Sequence, residues 1–340
     1  AIISGLLSNS NGEITAGSFS ISAATLNNNG GAINALSGAA NGSQITAGGL
    51  NNAGGNISAN NRNLTIDAST IDNGNGSISH AGSGLLSIKA PSIFNNTQAS
   101  SIRTNGALDL VTQGSFNNGG VISSVGNLVI KAIAGSLVQV DNTHKISSSA
   151  GEVSIVASEK ITNSGTIEGQ EKVDLKAGEL TNSGTIKSVK EVSLDMDRLS
   201  LTGTILADEL LSLKVKESVS VGSNEKLSTK GSLVLITQGD ITNFGTIAAE
   251  KSLELGGINL FNNNQINGGS GQSKLIFSGT INNNQTITSN DRMEVRTGNY
   301  VNNGITSVAN NLTLIANNNI ENNSGKVIFS AGDMTLGAGG

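Results

Sequence analysis

The chain has 340 residues, with 44 Gly, one Pro, one Tyr, no Trp, no Cys and a formal net charge of −5. Aromatic residues are 2% of the total, which excludes a core built on large buried rings, while 36% hydrophobic content is too high for a disordered polar chain. The acidic balance offers no bulk attraction to nucleic acid or to an anionic membrane, and without Cys neither disulfides nor thiolate metal sites form.

No apolar run approaches the roughly 18 residues of a membrane span. The opening AIISGLLSNS lacks the basic start and cleavage pattern of a signal peptide. It begins in mid-pattern, as expected of a piece of something longer. From there an apolar anchor recurs every 19 to 24 residues, at Leu26, Leu50, Ile71, Ile93, Phe116, Val140, Ile161, Leu180, Leu199, Val221, Ile241, Leu260, Ile281, Tyr300 and Ile320, with Leu6 expected to start the series. Two residues after 13 of these 15 anchors stands Asn: Asn28, Asn52, Asn73, Asn95, Asn118, Asn142, Asn163, Asn182, Asn243, Asn262, Asn283, Asn302 and Asn322. The two lapses are Leu201 and Ser223.

Between anchors, apolar pairs separated by one residue recur, among them Leu64/Ile66, Leu108/Leu110, Val153/Ile155 and Leu253/Leu255. Alternation of period two marks a strand with one buried face. The anchor motif itself, as in LTNSGTI at 180–186, supplies a further short strand around Ile186. No stretch carries a helical period. Units of two or three short strands cannot bury their apolar faces alone, but stacked units can. The expected fold is therefore all-β: a parallel β-helix of about 15–16 turns, roughly 21 residues per turn and on the order of 75 Å long. Residues 1–340 read as one continuous solenoid.

The recurring Asn lies two residues from its anchor, so in a strand it shares the inward face. A lone inward amide costs about 1–3 kcal/mol, whereas stacked amides donate to one another in a ladder. The competing reading is a simple preference of Asn for left-handed corners. Where Leu201 replaces the amide, the cross-section is expected to change, over residues 199–227.

The reiterated L-x-N-x-G-x-I unit, followed by L-x-L/I-x-A strands such as GNLVIKA (126–132) and NLTIDA (63–68), resembles the filamentous haemagglutinin repeat of two-partner secreted bacterial exoproteins. The resemblance covers nearly the whole chain. It implies a right-handed parallel β-helix, and a non-enzymatic stalk segment of a secreted, cell-surface, outer-membrane-associated protein that projects an adhesive or toxin-bearing end. It also implies an outer-membrane secretion transporter as partner, and a target-cell receptor contacted through regions outside this chain. Adhesins, haemolysins and contact-dependent growth inhibition proteins share this stalk. Exposed strand edges at the two ends are expected to favour end-to-end stacking.

No catalytic, cofactor-binding or metal-ligating constellation is expected. His80 and His144 fall about three turns apart, too far for a shared metal. GGSGQSKLIF (268–277) imitates a calcium-binding nonapeptide but has Ser273 where Asp belongs. A polysaccharide-degrading β-helix enzyme would need paired carboxylates and aromatic platforms. Asp195 and Asp197 share one strand face beside Arg198, which reads as a solvated edge. A self-sufficient adhesin is the other alternative. Residues 151–255 hold 27 of the 45 charged residues, 11 basic and 16 acidic. N-x-S/T sequons stand at Asn41, Asn56, Asn63, Asn75, Asn95, Asn284, Asn311 and Asn322.

Overall fold

The computed structural model describes residues 2–38 and 42–339; the sequon at Asn41 lies outside them. The chain divides into two compact units, Ala1–Gly178 and Glu179–Gly340. Each is an all-β parallel solenoid, and no helix occurs among the described residues.

One turn of unit 1 shows the plan. Strand Leu64–Asp72 carries both the Leu64/Ile66 pair and the anchor Ile71, with inward residues buried and the others exposed or half-buried. After a tight corner comes the short strand Ser77–His80, and after a second corner the next turn begins at Leu85. Each residue pairs in parallel with its counterpart one turn away: Leu64 with Leu86, Ile66 with Ile88, Leu50 with Ile71, Ile57 with Ile78. Three inward rows of Ile, Leu and Val result. Each fully buried side chain of this kind contributes about 1.5–3 kcal/mol. A slip of one residue would turn a whole row to solvent, so the alternation fixes the register.

Corners are set by residues with left-handed backbone. Asn11, Gly30, Gly54 and Asn75 have φ of +52°, +63°, +62° and +56° and occupy the same corner in four successive turns. The left-handed residue thus lies two places after the recurring Asn, and the recurring Asn is not itself left-handed. The next position must lack a side chain. A Cβ on Gly55 would lie 2.1 Å from the Asn28 carbonyl oxygen of the previous turn. Several later turns shorten this corner by one residue. Asn163 is followed three residues on by the strand Thr166–Gly169, and a Cβ on Gly165 would sit 2.2 Å from the His144 oxygen.

Unit 2 repeats the plan, with the anchors on separate short strands such as Ile241–Asn243, Leu260–Asn262 and Ile320–Asn322. One sheet runs unbroken through Glu191–Leu201, Leu210–Val215 and Ser232–Thr237. The other two do not. The end of Glu191–Leu201 does not pair with Val219–Val221, nor Thr204–Ala207 with Lys226–Thr229, and both sheets resume on the C-terminal side. Leu199 and Leu201 are half-buried there instead of fully inward.

Register corrects two anchors. Val219 aligns with Ile241 and Val221 with Asn243, so Val219 is the anchor and Val221, not Ser223, stands in the amide position. Val219 and Val221 both point inward, so alternation alone could not choose between them. At the start, Leu7 aligns with Leu26, while Leu6 is 61% exposed; the series begins at Leu7 and Asn9.

Candidate functional site

The most ordered polar feature of either unit is a buried column of Asn side chains. In unit 1 it runs from Asn9 through Asn28, Asn52, Asn73, Asn95, Asn118 and Asn142 to Asn163. At each step Nδ2 donates to Oδ1 of the next Asn, over 2.7–2.9 Å. The second amide hydrogen serves backbone carbonyls: Asn28 donates to Asn56 O at 3.2 Å and Asn142 to Thr166 O at 3.1 Å. Most of these amides therefore bond the backbone as well as the next amide, and no buried side-chain nitrogen or oxygen among the described residues lacks a partner. All donation runs toward the C-terminus, so amide dipoles add along the column.

In unit 2, Asn182 donates to Thr204 O at 3.2 Å and to its own corner at Gly184 O at 3.3 Å. Leu201 and Val221 follow it. The column restarts at Asn243, whose Oδ1 accepts from the Gly245 amide at 3.2 Å. It continues through Asn262, Asn283 and Asn302 to Asn322 over 2.7–2.9 Å. Asn322 is exposed. A second, outer ladder flanks this stretch, with Asn284 donating to Asn263 at 2.7 Å, Asn303 to Asn284 at 3.0 Å, and Asn323 to Asn303. It donates toward the N-terminus, opposite to the inner one. Its signal is the Asn-Asn pair at 262–263, 283–284, 302–303 and 322–323.

His80 belongs to a different buried network in unit 1. Its Nε2 faces the Asn61 carbonyl at 2.9 Å and so carries the hydrogen, leaving Nδ1 to accept from Thr104 Oγ1 at 2.8 Å. Asn61 Nδ2 in turn donates to Ser37 O at 2.8 Å. Burial holds the imidazole below its ordinary pKa, against backbone hydrogen bonds that raise it. A shallow groove of about 390 Å³ opens beside it between Asn60, Ser79, Arg103, Ser123 and Ser147. In unit 2, Tyr300 takes an anchor position with its hydroxyl 2.6 Å from Thr306 Oγ1, and burial pushes its pKa up to about 12.

The charged residues singled out above lie on the outside. Arg198 pairs with Glu179 at 3.1 Å and Glu217 at 3.6 Å, and Lys216 with Asp197 at 2.5 Å. The hydrogen bonds that Arg198 donates to Glu179 and Lys216 to Asp197 raise the pKa of both bases. Ser273 is buried at a corner with its hydroxyl 3.0 Å from that of Ser289. No group of three or more His, Asp or Glu poised for a metal occurs among the described residues. Of the sequons, Asn95 is fully buried in the inner ladder.

The family model of the haemagglutinin repeat matches residues 95–165, 132–214 and 198–296. No curated protein and no solved structure matches the chain. The matched segments together cover residues 95–296, more than half of the sequence. This chain belongs to the haemagglutinin repeat family.

Proposed function

We propose that residues 1–340 act as one stalk segment of a large secreted exoprotein, carried out of the cell by an outer-membrane transporter and projecting an adhesive or toxin-bearing end toward other cells. The supporting observation is the Asn column. In each unit the inner amides of this column are spent on joining turns, not displayed toward a ligand. Membership of the haemagglutinin repeat family implies a secreted, cell-surface exoprotein. No helix of the described residues is long and apolar enough to cross a membrane. The chain serves by extension, without catalysis or a cofactor, and the receptor contact of the parent protein lies elsewhere.

Stability in such an array adds turn by turn, which suits a part whose length is its function. The test removes whole turns, for example residues 243–261 or 262–282, from the parent protein. Secretion is expected to persist while contact with target cells weakens as turns are lost. Binding of the isolated chain to cells or glycans at the parent's level would instead make it a self-sufficient adhesin. Release of unsaturated products from an anionic polysaccharide, read by absorbance, would make it an enzyme.

A further inference from the structure

Among the described residues of unit 2 there is one place where two of the three sheets are unpaired between successive turns. Leu201 and Val221 replace the inner amides there, Leu199 and Leu201 are half-exposed, and the strands Val219–Val221 and Lys226–Thr229 pair only on their C-terminal side. Beside buried apolar residues such as Ile205 and Leu227, three ion pairs cross the gap. Lys216 Nζ lies 2.5 Å from Asp197, Arg198 lies 3.6 Å from Glu217, and Lys230 lies 3.0 Å from Asp208. These side chains are about half exposed. Three backbone bonds, Lys216 N to Met196 O at 3.0 Å, Glu217 N to Asp197 O at 2.9 Å and Ser232 N to Glu209 O at 2.8 Å, tie the flanks to the continuous sheet. A further bond joins Thr229 Oγ1 to Ala207 O at 2.6 Å.

We propose that residues 197–230 form a salt-sensitive yield point, the part of unit 2 that opens first, with the three ion pairs setting how readily it opens. The physical contrast is one of screening. Exposed charge pairs weaken as ionic strength rises, while a buried amide ladder does not. The sequence concentrates charge in this part of the chain and replaces its inner Asn by Leu201 and Val221, so one kind of link between turns is exchanged for the other. The inference does not depend on what the parent protein carries at its ends.

Hydrogen–deuterium exchange of the whole chain, read by mass spectrometry at about 0.05 M and about 0.5 M NaCl, tests it. Peptides covering 199–207 and 219–229 are expected to exchange at least about tenfold faster than those covering 262–302 at either salt. They are expected to gain a further threefold or so at high salt, with little change over 262–302. The variant D197N/D208N/E217Q should show the high-salt rates at low salt and lose the salt response. Its folding is checked by unchanged protection over 262–302. Equal protection of seam and ladder would overturn the proposal. So would seam exchange that ignores both salt and the triple substitution.

Discussion

In unit 1 the inner Asn column passes from Asn9 to Asn163 without a gap; in unit 2 it stops after Asn182 and resumes at Asn243. Backbone pairing follows the same division. The two sheets that Leu201 and Val221 adjoin are interrupted where the amides are missing, while the sheet on the far side continues. An inward amide is thus more than a tolerated polar residue. It donates to a carbonyl in the following turn as well as to the next Asn, so it clamps the corner as well as the column. Val221 at that position is buried and Leu201 half-buried, and an apolar side chain makes no hydrogen bond across the gap.

Breaking the continuous column should cost most. Asn118→Ala orphans the Asn95 amide hydrogen and the Asn142 oxygen, both buried. At about 1–3 kcal/mol for each orphaned group, plus the lost volume, local stability should fall by about 3–5 kcal/mol. Val221→Ala removes two methyl groups and no hydrogen bond, and should cost about 1–2 kcal/mol. Exchange-derived opening free energies around residues 95–142 and 219–243 measure both, since a stack of repeats need not unfold in one step. Equal losses would erase the distinction between the two regions.

The gap can also be filled. Leu201→Asn or Val221→Asn alone buries an amide with an incomplete set of partners and should destabilise. Together they supply the two missing rungs between Asn182 and Asn243. The double substitution should therefore beat the sum of the singles by about 1–3 kcal/mol. Strict additivity would mean that something other than the missing amides holds the two sheets apart.

Period and register were legible in the sequence because the same inward positions return every 19 to 24 residues. Leu180, Asn182 and Ile186 are each fully buried. What was not legible depends on which of two equivalent choices a neighbouring turn selects. Leu6 and Leu7 are adjacent leucines, and only alignment with Leu26 shows that Leu7 is the anchor. Val219 and Val221 both face inward, and only alignment with Ile241 and Asn243 sets their roles. His80 meets Asn61 and Thr104 across 19 and 24 residues, and no local pattern announces that contact. The outer ladder did leave a signal in its Asn-Asn pairs.

Tyr300→Phe probes a milder version of the same contrast: an anchor with a polar tip. Its hydroxyl bonds Thr306 Oγ1, which keeps Asn283 as donor at 3.2 Å and Asn302 as acceptor at 3.4 Å. Because no group is left wholly unpaired, the loss should be about 1 kcal/mol. A loss as large as that of Asn118→Ala would mean that the hydroxyl belongs to the ladder itself.

The smallest effect near neutral pH is expected at His80, in the unit with the unbroken column. Burial lowers its folded pKa below the ordinary 6.5. Above the unfolded value both states hold a neutral ring, and stability does not depend on this group. As pH falls below about 6.5, the unfolded chain binds the proton first, so unit 1 loses stability until the folded ring also titrates. His80→Gln cannot titrate. The difference between wild type and variant in exchange-derived opening free energy, followed over residues 57–104 from pH 7.5 down to 4.5, should therefore shift against the wild type on the acid side of about 6.5 and then level off. Asn61 O and Thr104 Oγ1 fix the reason. Nε2–H is already committed to the carbonyl, so an added proton must sit on Nδ1 and face Thr104, which then has to reverse its hydroxyl while still accepting from the Gly106 amide at 2.9 Å. A pH-independent difference would mean that the ring is solvated well enough to charge in place.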